Sequence, residues 1–388
     1  MATTIINGVQ YSGIWTMQQV NAAIAAGTWP VAGAGYLYSW GSNANGELGL
    51  GNTTYKSSPN QVGALTTWMS LRCLAEGALA IKSDGTLWSW GKNEYGFLGL
   101  GNTTPYSSPK QVGTLTNWSK INGGTFFSVA IKTDGTLWAW GRSNAGQLGL
   151  GNTTYYSSPK QLGALTTWSK ISAGNSLTFA IKTDGTLWSW GNGFAGGLGL
   201  GNTTDYSSPK QVGALTDWLT IKGIAYGCIA TKTDGTLWVW GYNTLGQLGQ
   251  GNTINLSSPT QVGSLTTWLN IAGGTYYTIA TKTDGTLWSW GYNTSGQLGL
   301  GDTTNRSSPV QVGALTTWSN GVTGMTSNIA LATKTDGTLW AWGNNSVGQL
   351  GLGTSGAGTY KSSPNQVGAS ANWINSSAGN NFSIATKA

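Results

Sequence analysis

The sequence predicts an all-β fold: a seven-bladed β-propeller of four-stranded blades, with the ring closed by strands from both ends of the chain. Three observations predict it. The segment Asp84-Gly85-Thr86-Leu87-Trp88 returns at Asp134, Asp184, Asp234, Asp284 and Asp336, a period of 50 that slips by two residues before the last copy. A Trp-Gly pair occurs seven times, at Trp40, Trp90, Trp140, Trp190, Trp240, Trp290 and Trp342. The C-terminal run 382–387 matches 127–132 and the run 35–40 matches 135–140, so the missing Asp-Gly turn marks where the chain breaks. One blade then draws strands from both termini and pairs edges that would otherwise stay open.

Within one unit, 118–121 and 128–132 read as two short strands and 136–140 as a third, joined to the second by an Asp-Gly turn. Both turn residues tolerate positive φ, which predicts a type I′ hairpin. A fourth strand is expected through 159–162, because Pro159 is tolerated at a strand start or on an edge strand. The paired tryptophans Trp138 and Trp140 alternate with Ala139, fall on one strand face, and are expected to pack between blades. The ring of Lys82, Lys132, Lys182, Lys232, Lys282, Lys334 and Lys387 beside the turn aspartates is expected to form local ion pairs. Residues 1–34 do not repeat and form a separate extension to the 35–388 propeller. There Thr16-Met17-Gln18-Gln19 has capping-box spacing, which predicts a short helix over 20–26 ending at Gly27.

Only 8% of residues are charged, whereas Gly (61) and Trp (22) are abundant, which suits a turn-rich β structure. The net charge of +7 is spread over fixed repeat positions and makes no basic run, so no specific nucleic-acid partner is expected. Cys73 and Cys228 fall at non-equivalent repeat positions and are expected to be buried and free. The start has neither the basic run nor the apolar core of a secretory signal, and no apolar stretch is long enough to span a bilayer, so synthesis in the cytosol is expected.

Histidine is absent, which removes Ser-His-Asp and Cys-His relays and the usual imidazole ligands of zinc. Six of the twelve acidic residues occupy the hairpin turns. Among the rest, Glu47 and Glu94 sit in corresponding loops of neighbouring blades, the one carboxylate pair that a glycosidase would use, and solvated loop positions are the preferred reading. The Gly-Gln-Leu-Gly-Leu-Gly run at 146–151 follows a strand and recurs, so it reads as turn glycines rather than a phosphate loop. The chain is thus expected to be a non-enzymatic binding protein with no cofactor and no metal.

The order Trp-x-x-Ile, Gly-Gly-Thr-Phe-Phe-Ser-Val-Ala-Ile-Lys-Thr-Asp-Gly-Thr-Leu-Trp-Ala-Trp-Gly, Gly-Gln-Leu-Gly-Leu-Gly over 118–151 resembles the regulator of chromosome condensation repeat family, and the likeness covers 35–388. The resemblance implies a seven-bladed propeller. It does not imply one activity. The chain lacks the family's frequent histidine before the apolar strand, the long blade insertion that family exchange factors present to a small GTPase, and the Trp-Arg-His motif of the plant ultraviolet-B photoreceptor. The near-identity of the blades, with the short piece beginning Thr3-Thr4-Ile5-Ile6-Asn7-Gly8, also looks like virion-associated propellers of tailed bacteriophages.

Binding residues are sought where the blades differ, since a fixed scaffold with variable loops presents a surface. Tyr and Arg are frequent at binding hot spots, which selects Tyr95, Tyr106, Arg142, Tyr155, Tyr156, Phe194, Tyr206, Tyr242, Tyr292, Arg306 and Tyr360. The expected role is a phage virion surface component, as in a tail fibre or head decoration. Residues 1–34 would dock it on other virion proteins through Tyr11, Ile14, Trp15, Met17 and Trp29, and the variable loops would meet a host receptor or glycan. The alternative is a cytosolic protein-interaction adaptor or exchange-factor-like propeller, and a carbohydrate-acting enzyme comes third.

Overall fold

The computed structural model describes residues 4–6, 9–11, 34–323 and 327–388. Seven sheets of four antiparallel strands form the ring, and a separate two-stranded sheet pairs Thr4–Ile6 with Val9–Tyr11. The helix expected over 20–26 lies outside the described residues. Blades 1 to 6 run over 68–111, 118–161, 168–211, 218–261, 268–311 and 318–366, and blade 7 combines 373–387 with 36–61.

Blade 2 shows why the repeat folds as it does. Its strands are Trp118–Gly123, Phe127–Lys132, Leu137–Gly141 and Tyr156–Gln161, hydrogen-bonded in that order. First strands of neighbouring blades touch one another around the ring, so they line the axis and the fourth strands form the outer wall. The second strand is buried along its whole length because sheets cover it on both faces. On the third strand Leu137, Ala139 and Trp140 are buried while Trp138 is half-buried. Pro159 falls inside the outermost strand, whose free edge asks nothing of the missing N–H.

The chain closes as the end matches require. Tyr36–Gly41 pairs with Phe382–Lys387, in register from Tyr36 opposite Lys387 to Gly41 opposite Phe382. Residues 34 and 388 consequently lie together, on the face that carries the Asp-Gly hairpins. The opposite face carries the loop between first and second strands and the long loop between third and fourth.

Two expectations change. The hairpin is not type I′: Gly135 has φ +79°, but the sole non-glycine with positive φ among the described residues is Ala195, so Asp134 keeps an ordinary conformation. The Gly135 N–H donates to the Lys132 carbonyl at 3.0 Å and the Lys132 N–H to the Thr136 carbonyl at 3.0 Å, which is a type I turn closed by a glycine bulge. Asp134 instead accepts from the Thr136 N–H at 2.9 Å and hydroxyl at 2.7 Å, and Thr136 accepts from the Trp138 indole at 2.9 Å. The repeated lysines also do not pair with these aspartates. Lys132 lies over the Trp138 ring, 3.6 Å from its centroid, and Lys82, Lys182, Lys282 and Lys334 do the same over Trp88, Trp188, Trp288 and Trp340. The aspartate is already satisfied by threonine, so the ammonium takes the aromatic face. Lys232 alone among them makes an ion pair, with Asp217 at 3.5 Å.

Gly135 and Gly163 separate strain from clash. Both have positive φ, but a Cβ on Gly135 would meet the Thr166 carbonyl oxygen at 2.1 Å, whereas Gly163 has open space. Gly163→Ala is expected to lower the unfolding free energy by about 1 kcal/mol, the ordinary left-handed penalty, and Gly135→Ala by clearly more, as read by urea denaturation. The hydrogen bonds from threonine hold the carboxyls of Asp134, Asp184, Asp234, Asp284 and Asp336 below the usual range. A depressed carboxylate stabilises the fold above its unfolded pKa of about 3.9, and that contribution is lost as pH falls through the folded value. Thermal melts are therefore expected to lose stability below about pH 4, and changing Thr136, Thr186, Thr236, Thr286 and Thr338 to Val should flatten this acid dependence.

Candidate binding face

In every blade the residue just before the second strand lies beside the residue just after the Trp-Gly pair. The N–H of the latter donates to the carbonyl of the former, as in Arg142 to Phe126 at 2.9 Å, Tyr242 to Tyr226 at 3.1 Å and Tyr292 to Tyr276 at 2.9 Å. This repeated bond builds two concentric rings on the face opposite the termini. The inner ring reads Glu76, Phe126, Ser176, Tyr226, Tyr276, Asn328, Asn381, and the outer Lys92, Arg142, Asn192, Tyr242, Tyr292, Asn344, Ser42. The backbone there is uniform and the side chains are not.

Aromatic rings gather on one side of this face. Tyr226, Tyr242 and Tyr276 contact one another with centroids 6.0 to 6.4 Å apart, and Tyr292 extends the group from Tyr276 at 6.4 Å. Phe194, from the neighbouring blade, packs on Tyr226 at 5.5 Å and Tyr242 at 5.9 Å while remaining 52% exposed. Burial, then the neighbouring Tyr226 and Tyr242 hydroxyls, pushes the Tyr276 phenol up. A second group joins Tyr95 to Phe126 at 5.1 Å and to Tyr155 at 5.9 Å, with the Arg142 guanidinium 5.2 Å from the Tyr95 ring. Lys92 borders it, bound to Glu76 at 2.6 Å and Glu94 at 3.3 Å, and the Glu76 hydrogen bond, with that of Glu94 and their charges, holds its ammonium up against burial. Asn328, Asn344, Asn381 and Ser42 leave the far side small and polar.

Blade 3 departs from the repeat to present Phe194. In five other blades an asparagine braces the long loop, and Ser143 takes its place in blade 2; Asn93, for example, donates to the Asn102 and Thr104 carbonyls and accepts from the Leu98 N–H. Gly193 occupies that place in blade 3, and Asp205 holds the loop from outside, accepting from the Gly193 N–H at 2.8 Å. The loop then turns through Phe194–Gly196, with Ala195 at φ +56°. A left-handed alanine costs roughly 1 kcal/mol, and strain of this kind gathers at functional sites.

The structure thus places Phe194, Tyr242 and Tyr292 in the first group and Tyr95, Arg142 and Tyr155 in the second. It sets Tyr106, Tyr156 and Tyr206 apart at the start of outer-wall strands, where Lys110, Lys160 and Lys210 cover their rings at 5.4 to 5.7 Å. Arg306, also on the outer wall, is tied to Asp302 at 2.6 Å, and Tyr360 stands exposed outside both groups. Phe126, Tyr226 and Tyr276 were not among the residues selected from sequence; they differ between otherwise matching units, and that was the available signal. Glu47 and Glu94 do not meet: Glu47 is buried against the Asn45 N–H and side-chain amide, and Glu94 pairs with Lys92. Cys73 and Cys228 are free and buried, and burial pushes the Cys73 thiol up to about 12. Of the docking residues, Tyr11 ends the small hairpin, while Ile14, Trp15, Met17 and Trp29 lie outside the described residues. Among the described residues no helix is long and apolar enough to cross a membrane, and no group of three metal-ligating side chains forms.

The regulator of chromosome condensation (RCC1) repeat model matches seven segments, 34–73, 84–131, 134–181, 184–229, 234–281, 284–325 and 336–386. The chain belongs to the RCC1 repeat family. Its fold is similar to that of Prp20p from Saccharomyces cerevisiae, with a TM-score of 0.81 at 20% identity over 92% of this chain and 93% of that one. Human WBSCR16 gives 0.79 at 19% identity over 91% and 99%. No curated protein sequence matches the chain. These findings overturn the expected virion role. The repeats match the RCC1 model along the chain, and the two similar structures named are a yeast and a human protein, Prp20p being described by its binding to Gsp1p and histones.

The strain at Ala195 has a direct check. Ala195→Gly should be about 1 kcal/mol less destabilising than Ala145→Gly at the equivalent, ordinary-φ position of blade 2, measured by urea denaturation of the two variants.

Proposed function

We propose that this RCC1-repeat propeller is a protein-interaction module whose partner, a cellular protein, seats on the aromatic side of the face opposite the termini. The observation that carries the reading is the run Phe194, Tyr226, Tyr242, Tyr276 and Tyr292, which spans three blades on a backbone that is otherwise repeated. Rigid aromatics bring large contact area at little entropic loss, and a charged border such as Arg142 and the Glu76–Lys92–Glu94 cluster suits an interface rim. Protein partners are also what the similar yeast structures are described with, Gsp1p and histones for Prp20p and Kap60 for Prp20 in complex. The rings are held in place before any partner arrives, by one another and by the cross-loop backbone bonds, so little ordering is needed on binding.

Photo-crosslinking in cells tests this reading, with a benzophenone amino acid placed at Tyr242, Tyr276 or the outer-wall Tyr156. One protein partner is expected from the first two positions and not from the third. Tyr242→Ala with Tyr276→Ala should then weaken that partner at least tenfold, as expected for hot-spot aromatics, while Tyr106→Ala with Tyr156→Ala leaves affinity unchanged. Equal labelling from Tyr156, or unchanged affinity in the Tyr242/Tyr276 variant, would place the interface elsewhere.

A further inference from the structure

The first strands that line the axis follow a polar rule in two layers. In one layer the side chain accepts the inward N–H of the next blade: Asn122 from Ala173 at 3.2 Å, Ser172 from Gly223 at 2.9 Å, and Ser377 from Cys73 at 2.9 Å. Two residues earlier the side chain donates to a carbonyl of the next blade. Asn270 reaches Ser319 at 2.9 Å and Asn375 reaches Met69 at 3.0 Å, and Lys120 and Lys170 donate likewise to Ser169 and Leu219. These bonds tie the inner strands into a ring.

The other four blades place no acceptor in this layer: Ala272 and Val322 are apolar, whereas Arg72 and Lys222 are cationic. The two cations occupy it in blades 1 and 4, and neither guanidinium nor ammonium can accept a hydrogen bond. The N–H of Gly123, which Arg72 would face, is taken by its own neighbour Asn122 at 2.9 Å. Arg72 is only 7% exposed and its Nε has no partner. No hydrogen bond or ion pair satisfies Lys222 among the described residues either.

All twelve acidic residues of the chain are engaged elsewhere. Six bind threonines in the Asp-Gly hairpins, as Asp84 does with Thr86. Glu47 holds Asn45, Glu76 and Glu94 hold Lys92, Asp205 holds Gly193, Asp217 holds Lys232 and Asp302 holds Arg306. The inner strands therefore carry Arg72, Lys222, Lys120 and Lys170 with no counter-charge. Burial, and after it the charge of Arg72, brings the Lys222 ammonium down to about 8. Arg72 is buried and Lys222 half-buried, and an uncompensated cation drawn out of water is costly and persists in a fold when something pairs with it.

We propose that the axial channel is an anion site, in which Arg72 and Lys222 bind a phosphate-class oxyanion close to the mouth that opens on the aromatic face. Two fixed cations match a dianion, and the guanidinium offers a planar set of donors to its oxygens. The ligand supplies acceptors to the two cationic positions of a layer whose side chains in blades 2, 3 and 7 are themselves acceptors. The site is distinct from the aromatic groups and does not depend on the partner proposed for them.

Isothermal titration and phosphorus NMR of the full chain with inorganic phosphate test the proposal, with adenosine monophosphate as a second arm. One saturable site is expected. Tighter binding of the nucleotide would assign the oxyanion to an organic phosphate, and tighter binding of inorganic phosphate to the free ion. Arg72→Met and Lys222→Met should each weaken binding at least tenfold. Both should also raise the melting temperature of the phosphate-free protein, since each removes an unpaired cation from the inner wall. Absence of saturable binding in both arms, unchanged affinity in both variants, or a lower phosphate-free melting temperature in both would overturn it.

Discussion

The ring depends on one side chain repeated around it, the second tryptophan of each Trp-x-Trp-Gly strand. Trp40, Trp90, Trp140, Trp190, Trp240, Trp290 and Trp342 are completely buried. In five blades the indole N–H reaches a carbonyl of the preceding blade, as from Trp140 to Phe97 at 2.8 Å and from Trp90 to Glu47 at 2.8 Å. The same rings meet the first strand of their own blade edge-on, Trp118 lying 6.0 Å from Trp138 and 6.1 Å from Trp140. Each such indole removes ~200 Å² from water, worth ~5 kcal/mol gross. Its hydrogen bond adds direction that area alone lacks. The contact from Trp40 to Gln349 joins blade 7 to blade 6 in the same way, so closure uses the bond that builds the rest.

A scaffold fixed at this level leaves its surfaces free to differ. Buried second strands, hairpin aspartates and lysines over tryptophan repeat almost unchanged, and the clefts between blades near the outer wall repeat with them, one of about 460 Å³ beside Trp168 and Trp188. Such features maintain the ring. The two rings of residues on the face opposite the termini do not repeat, and they sort into an aromatic side and a polar side. Blade 3 goes further, giving up an asparagine brace and accepting a left-handed alanine where Phe194 stands out. The channel shows the same logic in miniature: blades 2, 3 and 7 keep the hydrogen-bond rule in its accepting layer, and Arg72 and Lys222 put cations there instead.

Much of this was legible in the chain itself. Blade number, closure, buried cysteines and the burial of the Trp-Gly tryptophans follow from spacing and alternation, because a 50-residue unit with one apolar face per strand can bury it only against copies of itself. Tyr95, Arg142, Tyr155, Phe194, Tyr242 and Tyr292 were also visible as differences between blades. What one dimension hid was adjacency. Phe126, Tyr226 and Tyr276 belong to a different loop from Tyr242 and Tyr292, and only the cross-loop N–H to carbonyl bond makes them neighbours. Tyr106, Tyr156 and Tyr206 looked equivalent to the others but start outer strands, where they face lysines instead.

The sequence by itself determined a closed seven-bladed ring, since repeat period and end-matching are properties of spacing alone. Tertiary structure decided which residues share a surface and which charges go unpaired. Arg72 and Lys222 lie 150 positions apart in the chain and read there as ordinary strand residues. Only the ring places both in one channel layer and leaves every carboxylate committed somewhere else, because electrostatic pairing depends on distance in space and not on separation in sequence.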